Sequence, residues 1–209
     1  MAIIHQAELR PSKLELLNGW LPLQPWFTGN SSDLRKVGSF RFDDPDGEVG
    51  IETVLLADSG NVFQVPLSYR ASPLHDVESY LVGTMQHSVL GTRWVYDACG
   101  DPCYVDAVTA AILTGRPQAE QFLDVGGRLD VMPESVVVGS TGPLRTSVPG
   151  IGPFTTRSTD AGTVVRTGEL ELLIIRRLSL ADLPAGTAAL TGTWGGQHTP
   201  VKLAAVAVH

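Results

Sequence analysis

Cysteine is scarce: Cys99 and Cys103 are the only two in 209 residues. Two thiols cannot build a disulfide scaffold. Their C-x3-C spacing has no second ligand pair nearby, so no metal site is expected. Charge is also sparse, at 18% of residues. The net charge is −7 and no basic stretch stands out, which argues against a nucleic-acid partner. No run approaches 18 apolar residues, so no membrane span is expected. Residues 1–12 contain Glu8, Arg10 and Pro11 rather than an apolar secretory core, and a reduced cytoplasm is the expected setting. The chain has no G-x-S-x-G elbow, no Walker-type loop with a lysine and no G-x-G-x-x-G opening a helix. No cofactor is therefore expected.

What is present is core material and turns. Hydrophobic residues make up 43%, with 22 glycines and 14 prolines. This mix describes a turn-rich, mostly β globular chain. Charge is unevenly spread. Residues 1–130 hold 17 acids and 9 bases, whereas residues 131–209 hold 5 and 6, a hint of two units of different character.

Local signals place the elements. Ser12 and Glu15 form a capping box for a short helix that Gly19 should end. Strands are expected at 36–42, 48–57 and 61–69, separated by DDPDG and DSGN turns. Residues 75–83 read as a short helix and 84–98 as two extended runs around Gly91. The strongest helix spans 100–115, with Asp101 as N-cap, Pro102 at N1 and Gly115 just past the end. A weaker helix is expected over 117–125. Beyond 131, short strands with glycine and proline between them suggest a small barrel. These include runs at 144–148 and 186–194.

Candidate chemistry concentrates in MQHSVLGTRWVYD. His87, Arg93, Trp94, Tyr96 and Asp97 are the candidate ligand or polar-network residues. A Ser88–His87–Asp97 triad meets a steric objection, because strand neighbours point to opposite faces. A buried polar network joining two units is the other reading. Asp43, Asp44, Asp46 and Glu48 lack a calcium loop's terminal glutamate and fit a solvated hairpin turn. Arg176 and Arg177 should face opposite ways in a strand.

WLPLQPWFTGN, residues 20–30, is dense in aromatics. Its prolines exclude an ordinary helix, so Trp20, Trp26 and Phe27 are expected to anchor it to a core. Together with the downstream GIETVLLADSGNVFQVPLSYR, it resembles the N-terminal cap of the bacterial maltokinases. Trp20, Leu21, Pro22, Gln24, Trp26, Phe27 and Gly29 fit that pattern, and Pro25 stands where the family has arginine. Residues 65–115 look like stand-alone cap-like proteins of actinobacteria. GTVVRTGELELLIIRRL resembles the kinase intermediate subdomain, with Leu173 in place of its nucleotide-contacting lysine. No H-G-D or D-F-E string occurs in the sequence, and phosphoryl transfer rests on such charged groups.

The resemblance implies an α+β, mostly β fold: a cystatin-like helix-plus-antiparallel-sheet unit packed on a small β-barrel-like unit. The expected divisions are a cap-like unit at 1–83, connecting strands and helices at 84–130, and a β-rich unit at 131–209. It also implies a non-catalytic binding or regulatory module. The expected partner is an enzyme of α-glucan, trehalose or related sugar metabolism, or a second copy of the chain. The alternative is a small enzyme or a sugar- or sugar-phosphate-binding protein using a pocket around residues 84–98.

Overall fold

The structure, a computed structural model, describes residues 2–5, 7–178 and 187–209. In chain order its elements begin with β1 (Ala2–His5), β2 (Leu9–Arg10), α1 (Lys13–Trp20), β3 (Arg35–Phe42), β4 (Gly50–Ala57) and β5 (Val62–Arg70). Then come β6 (Leu81–His87), β7 (Gly91–Asp97), α2 (Pro102–Thr114), β8 (Gln121–Val125), β9 (Arg128–Val131) and β10 (Val136–Thr141). The chain closes with β11 (Thr155–Thr159), β12 (Gly162–Arg166), β13 (Leu170–Ile174), β14 (Arg177–Leu178), β15 (Ala188–Trp194) and β16 (Gln197–Val208).

The fold is mostly β, with antiparallel sheets and a curled half-barrel. The first sheet runs β2-β6-β7-β5-β4-β3, with β14 also paired to β5. The second runs β10-β15-β16-β13-β12-β11. Among the described residues its outer strands β10 and β11 do not pair with each other, so the sheet is open where a closed barrel would join them. A small third sheet, β1-β8-β9, contains the parallel pair β1 and β8.

Two apolar clusters use opposite faces of the first sheet. On one face, Leu17, Trp20, Leu21 and Trp26 pack on Val54, Leu56, Phe63, Val65 and Leu67. On the other, Ile51 and Leu55 join α2 and the second sheet's Leu172, Ile174, Leu203 and Val206. This double burial explains why β4 reads as an almost unbroken apolar run: a strand covered on both faces has little use for polar alternation. Helix α2 is buried on nearly every side, including Val105, Val108, Ile112 and Leu113, which suits a helix enclosed between sheets.

The caps form as the local sequence dictates. The Ser12–Glu15 capping box is present. Asp101 accepts from the Cys103 amide, and Gly115 takes the left-handed conformation at φ 71°. Several expectations are corrected. α1 continues through Gly19 to Trp20, and a 3-10 turn at Leu21–Leu23 begins where Pro22 removes a donor. Residues 117–125 are extended, because Ala119 donates to the Arg41 carbonyl and Gln118 bonds the Val136 carbonyl and Val138 amide. Residues 75–83 form only a 3-10 turn at Glu78–Tyr80 before β6. Residues 144–148 form no strand; the Arg145 amide instead satisfies the Leu113 carbonyl of α2. The run expected at 186–194 is β15, and its first residue, Gly186, lies outside the described residues.

Candidate functional site

A cleft of about 390 Å³ opens beside the end of β4. Its walls come from the N-terminal segment, α1, the β3–β4 hairpin and the β6–β7 hairpin, including His5, Lys13, Arg41, Tyr69, His87 and Arg93. Asp43, Asp44 and Glu48, at the turn between β3 and β4, form its acidic lip. Asp44 is already engaged: its carboxylate accepts from the amides of Asp46, Glu48 and Val49.

Behind the wall lies Glu52, whose side chain is only 3% exposed. Hairpin register sets Arg41 directly opposite it, and Arg41 Nη2 donates to Oε2 at 3.0 Å. The Tyr69 hydroxyl donates to the same oxygen at 3.0 Å. Lys13, the first residue of α1, also donates to Oε2, and its Nζ lies 5.2 Å from the Tyr69 ring centre. Lys36 approaches Oε1 at 3.5 Å. Burial alone would raise the Glu52 pKa, but Arg41, Lys13 and Lys36 outweigh it and hold the carboxyl well below the usual range. Lys13 moves the other way relative to its charged form. Its burial lowers its pKa, and Glu52 only partly compensates because Arg41 and Lys36 oppose it. Tyr69 is pushed up by burial and by the Glu52 charge. One carboxylate therefore serves three cations.

The five residues singled out in the 84–98 segment separate. His87 and Arg93 line the cleft. His87 Nδ1 accepts the Val89 and Leu90 amides at 3.2 and 3.1 Å, and its ring meets His5 edge-on at 6.1 Å. Burial, then the charges of His5, Arg93 and Lys13, lower its pKa. Ser88 donates its amide to the Glu8 carbonyl, while its hydroxyl accepts the Glu8 amide. Trp94 is half-buried in β7, opposite Thr84 and Arg70. The buried Tyr96 hydroxyl accepts the Leu74 amide at 2.9 Å.

Asp97 belongs to the interior. Arg176 Nη2 donates to its two oxygens at 2.7 and 2.6 Å, and Arg176 Nε donates to Thr163 at 2.8 Å. The guanidinium also lies 4.8 Å from the centre of the Trp26 ring. This pair fills a break in the first sheet. One edge of β5 is shared by β7 at residues 67–70 and by β14 at residues 62 and 63. The Gln64 amide donates to the Arg176 carbonyl on that edge. Two residues on, Pro66 has no amide to leave unpaired at the break. Arg177, the next residue, is exposed, whereas Arg176 is fully buried.

Of the aromatic stretch, Trp20 and Trp26 are buried and Phe27 packs on Phe63 at 4.8 Å between ring centres. Leu23, between the prolines, is 78% exposed. Residues 20–101 match the model of the maltokinase N-terminal cap domain.

Residues 20–101 resemble a maltokinase N-terminal cap.

The cap match thus covers the aromatic stretch, β3 to β7 and the Asp101 that starts α2. No curated protein matches the chain in sequence. Among solved structures, a glucosamine kinase in complex with glucosamine, ADP and inorganic phosphate is 15% identical, with a TM-score of 0.43 over 84% of this chain and 35% of that one. The chain spans about a third of that kinase's length. Leu173, aligned by resemblance with a nucleotide-contacting lysine, lies in β13 between Val164 and Ala205 and packs against the second apolar cluster.

Sequence reasoning passed over Glu52, Lys13, Arg41 and Tyr69. One signal was available: Glu52 is a lone carboxylate inside GIETVLLA, and a buried strand holds a charge only when it is paired. The DDPDG turn then sets Arg41 across from it. Lys13 is 39 residues away, and no local pattern connects the two.

Proposed function

We propose that the chain is a cap-type binding or regulatory module that acts by docking onto an enzyme of α-glucan, trehalose or related sugar metabolism. The carrying observation is the cap itself, at residues 20–101, built into one apolar core with the second sheet. The polar groups that first suggested catalysis support the same reading. Asp97 is occupied by Arg176 and the Cys99 amide, and Tyr96 by the Leu74 amide. Groups so engaged hold a shape. A module of this kind contributes surface and orientation, while the chemistry belongs to its partner.

The test is affinity capture with the purified chain as bait in a lysate of its native host, using a chain unfolded by Arg176→Glu as the control. Enrichment of a sugar-metabolising enzyme by the folded bait alone is expected. Failure to enrich one, or transfer of phosphate from ATP to a sugar by the purified chain, would overturn the reading.

A further inference from the structure

The small third sheet ends in an open edge. Its last strand, β9, pairs with β8 on one side, and among the described residues no strand pairs with its other side. Val125 and Arg128 close the β8–β9 hairpin around Gly126 and Gly127, whose φ angles are 63° and 89°. Two positive φ angles in a two-residue loop mark a turn that matches the strand twist, so the ladder is regular up to its tip. At its far end the Met132 amide donates to the Gln121 carbonyl. Hydrogen-bonding direction alternates along an antiparallel strand. The amides of Arg128 and Asp130 therefore face β8, and those of Leu129 and Val131 face outward. Both outward residues are exposed.

Such an edge can be matched by the same edge of a second copy, antiparallel about a two-fold axis. The ladder forms only where outward residues stand opposite outward residues, so the axis passes through a residue of β9. An axis at Arg128 or at Asp130 sets like charges face to face, which is destabilising. An axis at Val131 sets Leu129 opposite the partner's Pro133, which has no amide to donate. An axis at Leu129 meets neither objection. It sets Arg128 opposite the partner's Asp130, and Asp130 opposite the partner's Arg128, in the close pairs where side chains interact most. Within one chain Arg128 already donates to Asp130 at 2.8 Å, so charges of alternating sign gather at the axis. On the other face of the sheet the two Leu129 side chains meet. That face continues through the register row Val131, Phe122 and Ile3, of which Val131 and Ile3 are exposed.

We propose that β9 pairs with β9 of a second copy, antiparallel and centred on Leu129, and joins the two small sheets into one continuous sheet. The complementarity of Arg128 and Asp130 selects the register. The paired edge is short, so the dimer is weak and reversible. The pairing goes beyond the docking role and does not rest on it, since it concerns the chain alone.

Sedimentation equilibrium of the full chain, from about 10 μM to about 1 mM, tests it. The mass should rise from monomer toward dimer and no further, because a two-fold pairing uses up its own edge. Asp130→Arg sets arginine opposite arginine and should weaken association at least about tenfold. Arg128→Asp should do the same with carboxylates. Arg128→Asp combined with Asp130→Arg restores the opposite-charge pairs in exchanged positions, and should return the affinity to within about threefold of the wild type. Leu129→Pro removes an outward amide but no bond to β8, and should abolish the dimer. Far-ultraviolet circular dichroism of the variants should match the wild type, since the changes lie on an exposed strand. A chain that stays monomeric at the highest concentration, an open-ended rise in mass, single reversals without effect, or a double reversal that fails to recover would each overturn the pairing. A lysate without an enriched partner would leave this result standing, so the two readings fail separately.

Discussion

Asp97 and Arg176 are both interior, and each is the other's counter-charge. Removing one leaves the other buried without a partner, a loss of about 3–5 kcal/mol. Asp97→Asn should therefore lower the free energy of unfolding in urea by roughly that amount. The joint replacement Asp97→Leu with Arg176→Met should cost far less, because an apolar pair of similar volume needs no desolvated charge. Equal costs for the single and joint changes would show that packing, not charge, governs the site. Glu52 makes a pH-dependent claim. Its folded pKa is depressed, so its stabilisation is complete above the ordinary unfolded value of about 4.3 and is lost as pH falls toward the folded one. The stability gap between the wild type and Glu52→Gln should be widest at neutral pH and should close progressively below about pH 4. The Asp97–Arg176 pair is not legible in a linear reading, because 79 residues separate the two and a pattern search sees only neighbours.

At the scale of elements, short-range chemistry was readable. The two helix starts, the left-handed Gly115 and the β3–β4–β5 hairpins follow from residues within a few positions of each other. Residues 117–125 were misread because their apolar spacing fits a helix, whereas tertiary bonds to Arg41 and Val136 hold them extended. Asp101 shows how a local device acquires a distant duty. It caps α2 through the Cys103 amide and also accepts two 2.7 Å bonds from Arg70 of β5. A cap alone contributes about 1 kcal/mol. Asp101→Ala should cost clearly more, because Arg70 also loses its partner, and Asp101→Asn should recover the capping part alone. A cost no larger than a cap's, read from urea unfolding, would mean that Arg70 adds nothing.

Across the whole molecule, one apolar cluster runs from the first sheet through α2 into the second. Gln64 crosses between the sheets, donating to the Ile175 and Leu203 carbonyls at 3.1 and 2.9 Å. A core shared in this way should unfold as one unit. In a Trp194→Phe variant the remaining tryptophans, Trp20, Trp26 and Trp94, all belong to the first sheet and the segment packed on it, so its fluorescence and its far-ultraviolet circular dichroism, which also reports the second sheet, should give coincident urea transitions. Separate midpoints would reveal two independent units. A mostly β chain with a cap-like front was legible from composition, turns and the aromatic stretch. The plugging of the first sheet by β14 was not, because a two-residue strand has no pattern of its own.

That plug bears on the order in which the protein can be completed. A chain emerging from the ribosome presents β5 and Asp97 long before Arg176 exists. Until then β5 has an open stretch of edge, Asp97 lacks its cation, and the Gln64 amide lacks its acceptor. Closing so wide a loop is entropically slow. A chain truncated before β14 should therefore be cut by protease faster than the full chain, and equal rates would show that the late strand adds nothing to the closure of the front sheet.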